Sequence, residues 1–443
     1  MFRGRRPFLI AIHSVVTLLA LSLAVGLAQQ SAAVDPGPRT DASPGAGSPL
    51  TGLTVKEGKF FDEGKDAFEE VQSVQGTIAD TEAGLGPRFN LDSCAGCHSQ
   101  PAIGGTSPSV NPQVAVATKQ GALNVVPGFI MLNGPVREAR FKSDGGVHAL
   151  YTITGRSDAP GCNIAQPNFV AAEAAGNLVF RIPTPTFGAG LIEAISDSTI
   201  MANIKNPAVM GITGRENREG NTGTVTRFGW KAQNKSLMIF SGEAYNVEQG
   251  VTNELFSQER DETPSCLFNP LPEDQMNYES TQPQTIASDA VNFSNFMRFL
   301  APPTPVATYG NVSAASITNG AALFVSVGCA HCHTPSMATG SYSTGALAYK
   351  TANLYSDLLL HHMGDDLADD IFQGRATRDE FRTAPLWGLG KRLFFLHDGR
   401  ATNLVDAIKF HYGTNSEANQ VIDKFNLLTV TNKQDLLNFL RSL

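Results

Sequence analysis

The segments Cys94-Ala95-Gly96-Cys97-His98 and Cys329-Ala330-His331-Cys332-His333 constrain the fold of this chain more than any other feature of it. In a helical turn, residues at i, i+3 and i+4 share one face, so two thiols can form thioethers to one porphyrin while the following histidine ligates its iron. A zinc ribbon is the competing reading, and it fails on spacing: 231 residues separate Cys97 from Cys329, against roughly 15–20 in that pattern. Zinc also gives no reason for a histidine directly after both second cysteines. The motifs therefore predict two covalently bound haem c groups, attached at Cys94, Cys97, Cys329 and Cys332 and ligated by His98 and His333.

The N-terminus carries a matching address. Arg3, Arg5 and Arg6 precede an apolar run from Phe8 to Leu27 and then small residues as far as Ala33, the pattern of a cleavable signal peptide over 1–33. Arg5-Arg6 also resembles a twin-arginine signal, but haem is attached to an unfolded chain, which favours the ordinary secretory route. The expected location is periplasmic or otherwise extracytoplasmic. In that oxidising compartment the two remaining cysteines, Cys162 and Cys266, are expected to form a disulfide. No later run is long and apolar enough to span a bilayer. Without the signal segment, 30 basic side chains face 41 acidic ones, a formal charge of −11. Such a surface repels nucleic acid and suits a basic redox partner.

A length of 443 residues allows two or three domains. Residues 34–50 are rich in Pro, Gly, Ser, Ala and Asp without apolar periodicity, which predicts a flexible linker. Phe60, Phe61, Ala67, Phe68 and Val71 then suit the buried face of a helix. An internal repeat follows: Gly64-Lys65-Asp66-Ala67-Phe68 precedes the first motif and Gly320-Ala321-Ala322-Leu323-Phe324 the second. Phe324 lies five positions before Cys329, whereas Phe68 lies 26 before Cys94, so the first copy holds insertions. Leu178–Ile182 alternates as a strand does. Pro183–Gly190 is a rigid loop that either approaches a cofactor or simply connects. Gln258–Thr285 reads as a surface loop, 288–300 as a helix, and Pro302-Pro303 with Pro305 as a boundary. The expected fold is mainly α, with two cytochrome c-like haem domains: an N-terminal one over 51–302, with long insertions that include short β-strands, and a C-terminal one over 303–443.

Further on, Asn403 is an N-cap and Gly413 a stop for a helix ending at Tyr412. Leu404, Ala407, Ile408 and His411 fall at i, i+3, i+4 and i+7, which puts His411 on the apolar face. The residues alone leave the second haem's other axial ligand open among His411, His361, His362, His397 and Met363. Trp387 either packs in the core or relays electrons.

The order Cys-x-x-Cys-His, then His361-His362-Met363-Gly364, Arg382-Thr383-Ala384-Pro385-Leu386 and His397-Asp398-Gly399-Arg400 resembles the C-terminal half of bacterial di-haem cytochrome c peroxidases. It is similar also to the related enzyme that matures a tryptophan cofactor in methylamine dehydrogenase. With Gly84–Asn90, Phe187–Leu191 and Arg227–Trp230 included, nearly the whole chain resembles more closely the di-haem oxidoreductases described as peroxidases or thiol oxidoreductases. In the peroxidases the second haem's distal ligand, usually Met, follows the His-Asp-Gly element by 14 residues. Here that offset from His397 lands on His411, so the resemblance implies His411 as the ligand. Imidazole in place of a thioether lowers the haem's reduction potential. His397 is then expected near the haem propionates.

The resemblance implies an exported, peroxidase-type di-haem oxidoreductase. Its C-terminal haem relays electrons from a small redox protein or a quinol-linked donor, and its N-terminal haem takes peroxide or oxidises a substrate. The alternative is a non-catalytic electron-transfer cytochrome, with His148 closing the first iron. Calcium is a candidate further cofactor. Peroxide cleavage needs an open position and an acid or base to move the proton. By neighbourhood, Glu193 and Arg181 are the candidate catalytic residues, with Glu138 and Gln113 beside them.

Overall fold

The structure, a computed structural model, describes residues 32–89, 91–113, 115, 126–145, 148–149 and 155–443, of which 148 and 149 by backbone alone. The signal-peptide features over 1–31 lie outside the described residues. Five helices of eleven residues or more organise what is described: α1 (Val55–Glu69), α2 (Leu237–Gln249), α3 (Asp289–Phe299), α4 (Ala314–Val327) and α5 (Val430–Ser442).

Helix α1 starts where its sequence supplies a reciprocal cap. The Thr54 hydroxyl accepts the Glu57 N–H at 3.2 Å, and the Glu57 carboxylate accepts the Thr54 N–H at 2.7 Å. Phe61, Gly64 and Phe68 form its buried face, which packs on α3. The approach is close enough to require glycine: a β-carbon at Gly64 would lie 2.3 Å from the carbonyl oxygen of Asn292. Helices α4 and α5 cross in the same way, with a β-carbon at Gly320 falling 2.0 Å from the carbonyl oxygen of Asp435. The sequence repeat is thus a structural repeat. In each copy glycine admits a crossing helix, and the phenylalanine four residues on is buried.

The two largest hydrophobic clusters among the described residues gather around Phe61, Phe68, Phe293, Phe296 and Leu300, and around Phe324, Leu404, Phe425, Leu437 and Phe439. The boundary expected at 302/303 separates the two helix pairs but not the cores. Leu347, Leu354, Leu359 and Trp387 pack into the first core, and Ile212 into the second. Strands are short, as expected. β1 (Glu138–Phe141) lies between β2 (His148–Ala149) and β3 (Leu178–Arg181), antiparallel to both, with Arg140 opposite His148 and Glu138 opposite Arg181. Three-residue strands Leu360–His362 and Glu380–Arg382 pair farther along.

Two expectations need correction. Residues 34–50 are not a loose linker but a docked strap. Asp35 pairs with Arg441 at 2.7 Å and accepts the Leu404 N–H at 2.6 Å, the Arg39 N–H reaches the Gly390 carbonyl, and the Leu50 N–H reaches the Phe299 carbonyl. Polar anchors hold this stretch, and such anchors leave no apolar period to read. The helix expected to reach Tyr412 covers only Leu404–Lys409, capped by Asn403, so His411 lies just beyond its last turn. Cys162 and Cys266 form the expected disulfide, which closes a loop spanning 104 positions.

Two clefts and their histidines

Cys94–Cys97 forms a single helical turn opened by Ser93, whose hydroxyl accepts the Gly96 N–H. The turn delivers Cys94, Cys97 and His98 to one cleft with about 1080 Å³ of empty space, part of it open to solvent. A second cleft of about 1420 Å³ holds Cys329, Cys332, His333 and His411.

Three histidines share one arrangement. His98 Nδ1 donates to the Gly105 carbonyl at 3.0 Å, His333 Nδ1 to Tyr355 at 2.9 Å, and His411 Nδ1 to Ala407 at 2.7 Å. A proton fixed on Nδ1 leaves Nε2 to serve as a metal ligand; the His98 ring also meets the Thr184 backbone. Burial depresses all three rings' pKa, that of His333 to about 4, so they stay neutral.

The other candidates are placed differently. His361 lines the second cleft, but Asp357 holds its Nε2 at 2.9 Å and Glu417 its Nδ1 at 2.6 Å. Burial opposes its charge, yet Cys332 and Asp357 outweigh that and raise its pKa well above the usual range. His362 is half exposed on Asp379. His397 and Met363 line the second cleft, where His397 stacks on Phe381 with ring centroids 4.2 Å apart. His148 pairs with Arg140 through its backbone, and its side chain lies outside the described residues.

The second cleft is walled mainly by apolar side chains, among them Leu386, Leu404, Val421 and Phe425. It also holds two buried guanidinium groups, Arg382 and Arg392, both lowered to about 10 by burial. Among the described residues neither is paired with a carboxylate, and a buried cation without an anion is costly. An apolar plate bearing two carboxylates, with an iron for the histidines, satisfies that donor set; a porphyrin with its propionates is such a group.

In the first cleft, Arg181 forms part of the wall, its guanidinium held by Asp369 at 2.6 Å and by Gln373. Glu138 and Gln113 also line it, Glu138 paired with Arg140 at 2.8 Å. Glu193 does not line it. Its carboxylate accepts from Arg298 at 2.9 Å, from Tyr342 at 2.6 Å and from the Leu237 N–H at 2.8 Å, a junction within the first core.

Two residues of the clefts were not singled out by sequence. Glu248, on α2, lines the first cleft, where burial and then Glu138 push its carboxyl up to about 8. Trp230 lines both clefts, its Nε1–H donating to the Ile182 carbonyl at 2.8 Å. Trp387, the tryptophan considered from sequence, packs against Gly188 instead, where a β-carbon would come within 2.5 Å of the indole. Gly188 and Gly190 serve packing, while Pro183, Thr184 and Thr186 of the same loop line the first cleft. Among the described residues, no cluster of three or more His, Cys, Asp or Glu side chains is arranged to hold a metal ion, and no helix is long and apolar enough to cross a membrane.

A family model described as "Di-haem oxidoreductase, putative peroxidase" matches residues 150–443. No curated protein matches the chain. Among solved structures, hydrazine synthase from Kuenenia stuttgartiensis is similar at 15% identity and a TM-score of 0.28, over 67% of this chain and 99% of that one. A MauG-like protein associated with microbial copper homeostasis is similar at 16% identity and a TM-score of 0.28, over 59% of this chain and 91% of that one. Likenesses at that level carry no weight for the fold.

Proposed function

Because the chain belongs to the di-haem oxidoreductase family, we propose that it is an exported, peroxidase-type enzyme with one covalently bound haem c in each cleft. Residues 51–302 and 303–443 are the two haem units, each built on a glycine-mediated helix crossing. Cys94 and Cys97 attach the first haem and His98 ligates it. Cys329 and Cys332 would attach the second, and His333 and His411 would ligate its iron.

The observation that carries this reading is the pair His333 and His411. Each fixes its Nδ1 proton on a backbone carbonyl and so leaves Nε2 free at the same apolar cleft. A site closed by two imidazoles suits the passage of electrons rather than the binding of peroxide. Arg382 and Arg392 hold the counter-charge for the propionates there.

When bound, haem supplies the redox chemistry by which peroxide is reduced. Around the first cleft the chain's own residues manage protons and charge. Glu248 keeps a proton on its carboxyl at neutral pH and is placed to deliver it to a departing oxygen. Arg181, fixed by Asp369, holds a positive charge in the wall. Trp230, at the border of both clefts, gives electrons an aromatic path between them.

Electron paramagnetic resonance of the ferric protein tests the reading. One high-spin and one low-spin haem are expected, with rapid spectral change on adding hydrogen peroxide. His411→Ala should turn the low-spin haem high-spin; an unchanged spectrum removes the ligand assignment. Two low-spin haems, inert to peroxide in every reduction state, would make the protein an electron carrier instead.

A further inference from the structure

Tyr245, on α2, is only 2% exposed and borders two spaces: the first cleft, and a separate cavity lined by carboxylates. Its phenolic O–H donates to Asp289 Oδ2 at 3.1 Å, and the amide of Gln72 donates to the phenolic oxygen. Phe293 meets the ring edge-on, with centroids 4.9 Å apart, and helps to fix it. Asp289 faces Asp274, Glu82 and Glu63 across the cavity, and Glu70 lies close enough to feel its charge. Burial and then these like charges lift Asp289 to about 7. Near neutral pH it is a base at hydrogen-bond distance from a buried phenol.

That pairing matters because removing an electron from a phenol makes its O–H strongly acidic. A buried tyrosine is oxidised readily only where a base can take the proton at once. We propose that Tyr245 is a redox-active side chain of the first cleft, giving an electron toward the cleft while its phenolic proton crosses to Asp289. The inference rests on the peroxidase-type reading above. The O–H bond of Tyr245 breaks and an O–H bond forms on Asp289 Oδ2. One electron passes to the haem of the first cleft after hydrogen peroxide has oxidised it. A neutral phenoxyl radical is left beside a neutral carboxylic acid. An electron from a one-electron donor and the proton held by Asp289 restore the phenol.

The geometry separates Tyr245 from the other oxidisable rings. Trp230 also borders the first cleft, but its N–H donates to the carbonyl of Ile182, which is no base. Tyr342 does bond a carboxylate, Glu193, but it lines neither cleft. The sign of the pH effect follows from Asp289. Once the carboxyl is protonated it cannot accept, so oxidation of Tyr245 fades as pH falls through about 7.

The test is freeze-quench electron paramagnetic resonance of the haem-loaded protein mixed with hydrogen peroxide. An organic radical is expected whose hyperfine pattern narrows in protein made with ring-deuterated tyrosine. Tyr245→Phe should abolish it and Tyr342→Phe should keep it. Asp289→Asn, or a change from about pH 8 to about pH 6, should weaken it several-fold. If the haem spectrum responds to peroxide but the radical is insensitive to tyrosine deuteration, or survives in Tyr245→Phe, this inference falls and the peroxidase reading stands. A haem spectrum unmoved by peroxide sinks both. Should Tyr245→Phe fail to fold, deuteration of the unaltered protein and the pH series decide the matter.

Discussion

His98, His333 and His411 each commit Nδ1 to a backbone carbonyl, and this shared device distinguishes them from His361, which is held at both nitrogens by carboxylates. The first two follow directly from the Cys-x-x-Cys-His spacing. His411 continues the i, i+3, i+4, i+7 row of an apolar face, but the residues alone leave it beside four other candidates; the family resemblance singles it out, and the helix itself stops at Lys409. Glu248 was not legible: a glutamate in a helix is ordinarily solvated, and only the fold reveals that this one faces a cleft. Glu193 stood near the right segment, yet its three donors make it a structural tie. Glu248→Gln should slow the reaction with peroxide by about 10²-fold or more if the carboxyl delivers the proton. Stopped-flow absorbance checks this, with the low-spin haem's spectrum unchanged as the internal control.

At the scale of elements, the repeat of Gly64 and Phe68 in Gly320 and Phe324 could be read from sequence, while its purpose, a close helix crossing, could not, because the partner helices lie far along the chain. Helix α1 offers a contrast between two of its glycines. A β-carbon at Gly58 meets nothing within 4 Å, whereas one at Gly64 meets the α3 backbone. Gly58→Ala should therefore stabilise the protein by about 0.5–1 kcal/mol through helix propensity. Gly64→Ala gains the same propensity but must push α3 away, at a cost of about 1–3 kcal/mol, so its net effect is destabilising. Denaturant unfolding of the two variants should give opposite signs. The strap over 34–50 carries no periodic signature for the complementary reason that its anchors are single polar groups.

Across the whole molecule, the early and late parts of the chain are joined by a buried charge cluster. Asp369 pairs with Arg181 at 2.6 Å and with Lys231 at 3.0 Å, all three side chains at most 4% exposed. Asp369→Asn leaves two buried cations short of their anion and should cost about 3–5 kcal/mol, read from the denaturant midpoint. Burial pushes the Asp369 carboxyl up, but Arg181 and Lys231 pull it further down, below its ordinary range. Its contribution is therefore complete above about pH 4 and lost as pH falls below that; the variant should show a flatter acid limb than the unaltered protein. The strap has a consequence for connectivity. Asp35 grips Arg441, and Val34 bonds Gln434, so the beginning of the strap lies alongside the last helix. Two stretches about 400 positions apart thus brace each other, so a change that frees the strap also strips the last helix of its buried charge partner.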